Sequence, residues 1–386
     1  MQDEGRKIVH IYCTIIDNYG DVGVCWRLAR QLAHEYACVV TLWVDDWSAA
    51  RQLIAELPIV PAKTVVMGVT IDAWAHVTVQ VDCIGDVLIE GFACTLPTAT
   101  LAQLAARTRK PIWLNLDYFS AEAWVPSFHA QSGYDAVVAT RRWFFFPGVH
   151  EHSGGILHEA GLLVQRNQWL AQSPAITTTF LARWGLGLAQ TGLTVLCFAY
   201  QHAPYVEWFD ALTDLVHSPQ PLTLWLCGQY SQAAFTLVDK QAYPKVTFCS
   251  LPFVPQADFD RLLWCADVLW VRGEDSLARA LWSGKPFIWH IYAQADAAHH
   301  AKLLAWLAHY TQPFPKSLRA AYIDVHLAWN GLPNAPAFGM AWRCLMQQWQ
   351  AWRDHSHRRS DEYAKMLDLA QRLMEFTRFR EISQNN

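Results

Sequence analysis

The amino-acid sequence has little charge and no long apolar run. Asp, Glu, Lys and Arg make up 17% of its 386 residues, and 30 basic against 34 acidic side chains leave a formal charge of −4. Without an excess of positive charge to neutralise phosphates, we expect no nucleic-acid partner. No segment reaches the roughly 18 apolar residues of a membrane span, and acidic residues occupy the start, where a signal peptide needs bases. We therefore expect a cytoplasmic protein that does not bind membranes.

The spacing of the cysteines excludes the common metal and redox motifs. The ten cysteines include no pair closer than 11 residues, so there is no CxxC pair. Most lie within apolar runs such as Leu196-Cys197-Phe198, where a free thiol behaves as a small apolar side chain. We expect reduced, structural cysteines.

Other signatures of catalysis and metal binding are also missing. The sequence contains no P-loop lysine motif, no GxSxG nucleophile elbow and no GxGxxG dinucleotide motif. Asp258-Phe259-Asp260 matches a DxD metal motif, but it opens an amphipathic helical pattern, so helix capping is the favoured interpretation. We expect no metal site and no cofactor.

What the sequence does contain is a repeated alternation of short apolar runs with longer 3.6-period segments. With 53% apolar residues the chain can bury large cores. The alternation is typical of βαβ units and parallel sheets, and it predicts two doubly wound α/β domains. The predicted strands are Lys7–Ile16, Cys38–Val44, Asp86–Gly91, Pro111–Leu116 and Tyr134–Ala139, then Leu193–Tyr200, Pro221–Cys227, Lys245–Val254, Ala266–Val271 and Pro286–Ile291.

Breaks in this alternation predict the domain boundaries. We place the first domain at 1–170, the second at 171–350 and a C-terminal helix at 351–386. Within the tail, apolar residues repeat at three and four positions, which places one apolar stripe on an otherwise charged helix. That helix is expected to pack on another part of the protein.

The first candidate site is the segment Asp17-Asn18-Tyr19-Gly20-Asp21, between the first strand and its helix. Ligand sites of open α/β sheets lie at the carboxyl ends of strands, where this loop falls. A helix N-cap explains Asp21 equally well, and an Asx-turn explains Asp17.

The second candidate site is Arg272-Gly273-Glu274-Asp275-Ser276, again between a strand and a helix. A helix N-terminus offers unpaired N–H groups, and Arg272 and Ser276 can add a charged clamp and a hydroxyl, so the segment can cradle a diphosphate. Acidic residues in a first helical turn are also expected on helix-dipole grounds alone.

Together the two segments resemble the bacterial arginine rhamnosyltransferases that modify elongation factor P, the EarP family. The resemblance continues through Cys25-Trp26-Arg27-Leu28 after the first segment and Gly284-Lys285-Pro286-Phe287 after the second. It implies a GT-B glycosyltransferase, with an acceptor-binding N-terminal domain and a donor-binding C-terminal domain facing a cleft, and a last helix that crosses back. It further implies inverting transfer of L-rhamnose from dTDP-β-L-rhamnose to an arginine of elongation factor P, without a metal.

The resemblance also assigns roles to residues. Asp21 would be the general base, with Asp17 and Glu274 also catalytic. The residues that would bind dTDP-rhamnose are Asn18, Tyr19, Gly20, Tyr200, Phe253, Gln256, Arg272, Gly273, Glu274, Asp275 and Ser276.

The chemistry of the residues is compatible with that assignment but leaves choices open. An arginine acceptor stays protonated at neutral pH, so it needs carboxylates: one to hold the guanidinium and one to take a proton. The residues alone do not decide which carboxylate does which. Two other functions also remain open: a GT-B enzyme that uses another nucleotide sugar and a small acceptor, and a non-catalytic protein that binds a translation factor.

Overall fold

The chain folds into two compact units. The computed structural model describes residues 5–16, 19–187, 192–214 and 221–385. One unit combines Met1–Ala160 with Met366–Asn386, and the other is Gly161–Lys365. The domain boundaries predicted from the sequence lie at 170/171 and 350/351 instead.

The first unit is built around one eight-stranded sheet. Its strands are β1 (Ile8–Cys13), β2 (Val39–Val44), β3 (Thr64–Val66), β4 (Val69–Ala73), β5 (Val87–Gly91), β6 (Ile112–Leu116), β7 (Ser132–Asp135) and β8 (Thr140–Phe145). Its helices before residue 161 are α1 (Gly20–Glu35), α2 (Trp47–Leu53), α3 (Thr98–Ala106) and α4 (Val125–Phe128).

The order of the strands in this sheet is β3-β4-β2-β1-β5-β6-β8-β7. The six inner strands pair in parallel, and only β3 and β7 at the two edges are antiparallel to their neighbours. The carboxyl ends of β1, β5 and β6 therefore lie side by side. Buried residues cover both faces of the sheet, as expected for a doubly wound domain.

One predicted strand of this unit is wrong. The predicted strand Tyr134–Ala139 falls mostly on the turn between β7 and β8. Asp135 causes this, because its Oδ1 accepts hydrogen bonds from the backbone N–H of Val137 at 3.0 Å and of Val138 at 3.2 Å. This Asx-type turn reverses the chain, and the apolar strand follows it at Thr140–Phe145.

The second unit contains a five-stranded sheet, all of it parallel, in the order β11-β10-β9-β12-β13. The strands are β9 (Leu193–Cys197), β10 (Leu222–Cys227), β11 (Val246–Leu251), β12 (Val268–Arg272) and β13 (Phe287–His290). The helices are α5 (Leu162–Leu170), α6 (Pro174–Ala182), α7 (Tyr205–Asp214), α8 (Gly228–Ala234), α9 (Gln256–Cys265), α10 (Gly273–Ser283), α11 (Ala298–Tyr310), α12 (Lys316–Trp329), α13 (Phe338–Met346) and α14 (Trp349–Tyr363). Thus the predicted two α/β domains with parallel sheets are confirmed.

The last helix, α15 (Leu369–Asn385), belongs to the first unit. Its residues Leu369, Ala370 and Leu373 are buried in the core that α1 and β1 share. Lys7 Nζ also lies 2.7 Å from Glu381 Oε1 of this helix. The apolar stripe of the tail is therefore the surface by which α15 packs.

The cysteines are structural, as predicted. All ten are free, and seven of them are buried. Burial raises the pKa of Cys38 and, to about 12, that of Cys197, so these thiols stay protonated at neutral pH. In the described part of the chain, no helix combines the length and the apolar composition that crossing a bilayer requires.

Candidate active site

In the first unit, the β1–α1 loop holds one buried carboxylate in a fixed position. Asp21 is 2% exposed and is the second residue of α1. Its Oδ2 accepts a hydrogen bond from the backbone N–H of Ile16 at 2.8 Å, and its Oδ1 accepts one from the Tyr118 hydroxyl at 3.2 Å. Asp21 is thus oriented from two sides at the carboxyl edge of the sheet.

The N-cap interpretation of Asp21 is wrong. Tyr19 occupies the N-cap position, without a side-chain capping bond, because the helix already begins at Gly20. The Asp21 carboxylate instead binds the loop that precedes the helix. Asp17 and Asn18 lie outside the described residues.

A second carboxylate holds the same loop from the neighbouring strand. Asp45 follows β2, and its Oδ1 accepts from the backbone N–H of Ile15 at 3.0 Å and of Asp46 at 2.8 Å. On the other side, the Tyr19 hydroxyl donates to the Gln52 side chain. The backbone N–H groups of Ile15 and Ile16 are therefore held by carboxylates on different elements.

An aromatic pair lies beside Asp21. The Tyr118 ring, just after β6, stacks on Phe92, just after β5, with ring centroids 4.6 Å apart and planes at 21°. Phe92 and Ala93 both have positive φ angles, 57° and 53°. Such backbone is rare for residues other than glycine and tends to occur at functional sites.

The buried Glu90 of β5 is an unusual acid. Burial raises its pKa to about 7, although the Arg142 guanidinium opposes that shift. The Arg142 Nη1 lies 3.4 Å from the Glu90 Oε2. Glu90 therefore changes protonation state near neutral pH.

In the second unit, Arg272 ends β12 inside a group of aromatic rings. Its guanidinium carbon lies 4.3 Å from the Phe198 ring centroid, 4.8 Å from Tyr200 and 5.6 Å from Tyr230. Its Nη1 also donates to the Ala199 carbonyl oxygen at 3.3 Å. Cation–π attraction and this hydrogen bond hold a positive charge at the carboxyl edge of the sheet.

Ser276 supports the start of α10. Its hydroxyl accepts from the Arg272 backbone N–H at 3.1 Å and donates to the Arg272 carbonyl oxygen. Gly273 begins the helix with a φ of +66°, a conformation that glycine adopts without strain, and its carbonyl accepts from Trp289 Nε1 at 2.8 Å. The Ser276 hydroxyl thus fixes the turn that precedes the helix N-terminus.

The two acidic residues of this turn have basic partners. The Lys302 Nζ of α11 lies 2.5 Å from Glu274 Oε1. Asp275 Oδ1 is 4.0 Å from Arg279 Nε, which is also 3.8 Å from Asp260 Oδ1. Glu274 is thus a paired carboxylate at the edge of the site.

Tyr200 lies three residues after β9, next to a neutral histidine. Its backbone N–H donates to His290 Nδ1 at 3.2 Å, and its ring lies 5.2 Å from His290 and 5.5 Å from Tyr292. Burial, with a smaller effect from Arg272, lowers the pKa of His290 to about 3. Because Nδ1 accepts a bond, the proton of this neutral ring resides on Nε2.

Phe253 and Gln256 lie at the other end of the same edge. Phe253 follows the edge strand β11 and is 51% exposed, whereas Gln256 is the first residue of α9 and is buried. Between β11 and β12 there are three strand spacings, or about 14 Å. The exposed Phe253 ring can stack on a nucleobase, and the Arg272 guanidinium can pair with a negatively charged group. This edge of the sheet therefore suits a ligand that carries both.

The DxD residues are engaged in ion pairs. Asp258 Oδ1 accepts from Arg261 Nη1 at 2.8 Å, and its Oδ2 lies 3.6 Å from Arg183 Nη2. Pro255 is the N-cap of this helix, so Asp258 is a first-turn acid and not the cap itself. Across the described residues, no three His, Cys, Asp or Glu side chains gather in a way that could hold a metal.

Four residues of these two sites were not predicted from the sequence: Phe92, Tyr118, Lys302, and His290, which accepts the Tyr200 N–H. Tyr118 and Phe92 directly follow β6 and β5, so the rule that found Asp21 could have found them. Lys302 carried no such signal, because it reaches Glu274 from a helix 28 residues later in the chain.

The two α/β units with their parallel sheets have the GT-B fold, the fold of one class of glycosyltransferases. The Anabaena protein Alr3699/HepE, solved with UDP and glucose, has the same fold, with a TM-score of 0.51 and 11% identity. That match covers 97% of this chain and 100% of the other.

The family is more specific. Residues 9–378 match the family described as "Elongation-Factor P (EF-P) rhamnosyltransferase EarP", and the chain belongs to that family. The protein-arginine rhamnosyltransferase of Pseudomonas aeruginosa is 39% identical over 372 residues, which cover 95% of this chain and 97% of that one. A solved structure described as the structural basis for EarP-mediated arginine glycosylation of EF-P is 29% identical, with a TM-score of 0.63, covering 97% and 99%. The chain is therefore an enzyme, a rhamnosyltransferase with a protein arginine as its acceptor.

Proposed function

We propose that this enzyme transfers L-rhamnose from dTDP-β-L-rhamnose to an arginine of translation elongation factor P, with inversion. The observation that carries the proposal is the family match over residues 9–378. In the related solved structure, EarP-mediated arginine glycosylation acts on EF-P. A translation factor as acceptor also favours the cytoplasm as the compartment.

Asp21 is the proposed general base. A guanidinium is a poor nucleophile, because it is protonated at neutral pH and its lone pairs are delocalised. Asp21 Oδ1 and Oδ2 are oriented by Tyr118 and Ile16, so the carboxylate is held in place before an acceptor arrives. It would take the proton as the new C–N bond forms.

Asp17 and Glu274 are the proposed anchors of the guanidinium. A carboxylate pairs with a guanidinium through two parallel hydrogen bonds, which fixes the direction of attack. The Lys302 ammonium, 2.5 Å from Glu274 Oε1, orients that carboxylate.

The second unit would bind the donor. Phe253 and Gln256 would contact the base, and Asn18, Tyr19 and Gly20 of the first unit would add contacts to the sugar nucleotide. Arg272 and the N-terminus of α10, with Gly273 and Ser276, would stabilise the negative charge that develops on the departing diphosphate, and Asp275 of the same turn would contact the nucleotide sugar. Tyr200, against Arg272 and His290, would form the wall of that site.

Inversion follows from a single displacement. The base acts on the acceptor nitrogen, and the C–N bond forms on the face of the sugar opposite the breaking C–O bond. With one base and no covalent sugar intermediate, the configuration at the anomeric carbon inverts, by analogy with direct-displacement hydrolases.

We propose that the reaction needs no metal ion, because Arg272 and the helix dipole supply positive charge for the diphosphate. Transfer should then continue in EDTA at the untreated rate. An activity that disappears with EDTA and returns with Mg²⁺ would instead assign that charge to a metal.

The direct test is intact-mass analysis of elongation factor P after incubation with the enzyme and dTDP-L-rhamnose. One deoxyhexose increment, located on an arginine by fragmentation, is expected. Omitting the donor and replacing the enzyme by its Asp21→Asn variant are the controls. An unmodified factor, together with transfer to a small acceptor in the same mixture, would contradict the proposal.

A further inference from the structure

A second group of cations lies around a cavity of about 460 Å³ in the second unit. The charged residues that line it are Arg166, Asp267, Lys285, Arg353, Asp354 and Arg358. They come from the segment between α9 and β12, the turn between α10 and β13, and the helices α5 and α14.

This cavity is separate from the donor site. Asp267 immediately precedes β12 and Lys285 lies just before β13, so both mark the amino ends of these strands. Arg272 is at the carboxyl end of β12. The 11 residues of α10 span about 16 Å between the two edges of the sheet. A diphosphate held at Arg272 does not reach the cavity.

One of the four cations, Arg166, already bonds to other groups of the folded unit. Arg166 Nη1 donates to the Trp282 carbonyl oxygen at 2.9 Å and to the Ser360 hydroxyl at 3.0 Å. Its Nη2 lies 3.6 Å from Asp361 Oδ1. Arg166 is therefore a fixed wall of the cavity.

The other three cations have no acidic partner at ion-pair distance. Within the part of the chain that the structure describes, Lys285, Arg353 and Arg358 have no carboxylate oxygen within 4.0 Å. The two carboxylates that line the cavity are bonded to other groups. Asp267 Oδ2 accepts from the Thr194 backbone N–H at 2.8 Å, and Asp354 Oδ1 accepts from Gln350 at 2.8 Å. The lining thus has an excess of positive charge.

Among these three cations, the lack of a carboxylate partner is most costly for Lys285. It is only partly exposed, and burial lowers its pKa, with the Asp267 charge opposing. It follows Gly284, whose φ of +68° makes a turn so close that an added Cβ would lie 3.0 Å from Arg166 Nη1. A partly buried ammonium without a carboxylate partner loses hydration that a bound anion would replace.

We propose that this cavity binds a small anion that carries at least two phosphoryl groups. Its volume lies within the range of small-molecule sites, roughly 300–1,000 Å³, and arginine forks match phosphoryl oxygens. Three cations without carboxylate partners can neutralise a diphosphate. The ligand is either free diphosphate or the diphosphate of a nucleotide, and it is independent of the donor proposed above.

Calorimetric titration of the whole enzyme with inorganic pyrophosphate tests this. The key variant is Arg353→Gln/Arg358→Gln, because both side chains are exposed on α14 and their replacement should not disturb folding. Lys285→Gln is the second variant. The matched control is Lys245→Gln/Lys316→Gln, which removes two exposed positive charges that do not line the cavity.

Pyrophosphate should bind the wild type and the control equally, and at least about tenfold more weakly to both cavity variants. Arg272→Ala should retain the cavity-dependent binding, which separates it from the donor site. Tighter cavity-dependent binding of ADP than of pyrophosphate would identify the nucleotide as the source, and the reverse order would identify free diphosphate.

Two results would overturn the proposal. One is pyrophosphate binding of equal strength in the wild type and both cavity variants, or none in any of them. The other is cavity-dependent binding of a hexaglutamate peptide that is tighter than that of either phosphate compound, since it would mark a docking site for an acidic protein segment.

Discussion

The β1–α1 loop of the first unit and the β12–α10 turn of the second both lie at the carboxyl end of a parallel strand, but each holds one side chain of opposite charge in place. The first presents Asp21, a carboxylate oriented by an N–H and a hydroxyl. The second presents Arg272, a guanidinium held among aromatic rings. A shared fold thus supplies the location, and the side chains decide whether a loop suits a cationic acceptor or an anionic leaving group.

The largest expected effect comes from Asp21→Asn. An amide can accept from the Ile16 N–H and donate to the Tyr118 oxygen, so the fold should survive while proton acceptance is lost. We expect the turnover number to fall about 10²- to 10⁴-fold. Asp86→Asn is the matched control, since Asp86 accepts from the Ile8 N–H at 2.9 Å at the opposite end of β1. Near-normal turnover of a folded Asp21→Asn variant would remove Asp21 from the role of base.

Arg272→Ala tests the other side of the comparison. Losing a charged hydrogen-bond donor costs about 1.5–3 kcal/mol, so the affinity for dTDP should fall about 10- to 150-fold. Arg343→Ala, which removes an exposed arginine on α13, should leave that affinity unchanged. Calorimetric titration with dTDP measures both, and equal affinities would exclude Arg272 from the donor site.

Tyr118→Phe tests whether the Tyr118 hydroxyl helps to orient Asp21. It removes the hydroxyl bonded to Asp21 but keeps the ring stacked on Phe92. We expect turnover to fall about 10-fold with the KM for the donor unchanged, as for the loss of one hydrogen bond to a charged group. Tyr134→Phe, on the exposed edge strand, is the control. A change in donor KM without a change in turnover would place Tyr118 on the donor instead.

The last prediction concerns stability and its dependence on pH, with no change expected at the two loops. The folded pKa of Glu90, about 7, lies above its usual 4.5, so the folded state binds an extra proton between these values. The contribution of Glu90 to stability is therefore lost as the pH rises from 4.5 to 7. Relative to the wild type, Glu90→Gln should be more stable at pH 8 than at pH 5, by on the order of 2 kcal/mol.

Denaturant unfolding at the two pH values measures that difference. The exposed Glu56→Gln is the control, and its effect should be the same at both pH values. A Glu90→Gln effect that does not change with pH would show that Glu90 does not titrate in this range.

The sequence predicts all five strands of the second sheet and β1, β2, β5 and β6 of the first, because a buried parallel strand is a continuous apolar run that ends abruptly, but it misses β3, β4, β7 and β8. The same rule locates the loop that leads to Asp21, which follows the first apolar run, and Arg272, which ends another. It fails at Tyr134–Ala139, where the Asp135 side chain turns a suitable composition into a reversal of the chain. Local side-chain bonding of this kind competes with strand formation and is not visible in hydrophobicity.

Contacts between residues that are far apart in the chain could not be predicted from the sequence. Lys302 reaches Glu274, and Tyr118 reaches Asp21 across 97 positions. The cavity cations Lys285 and Arg358 likewise come together only in the folded unit. Periodicity describes one element at a time, so it places a residue on a face but does not name the side chain opposite.

The most direct test of the contrast between the two loops is a dTDP titration of Asp21→Asn and Arg272→Ala under identical conditions. We predict that Asp21→Asn binds dTDP with the wild-type affinity and that Arg272→Ala binds it about 10- to 150-fold more weakly. Equal losses in the two variants would contradict it, because Asp21 would then contribute to dTDP binding as much as Arg272 does.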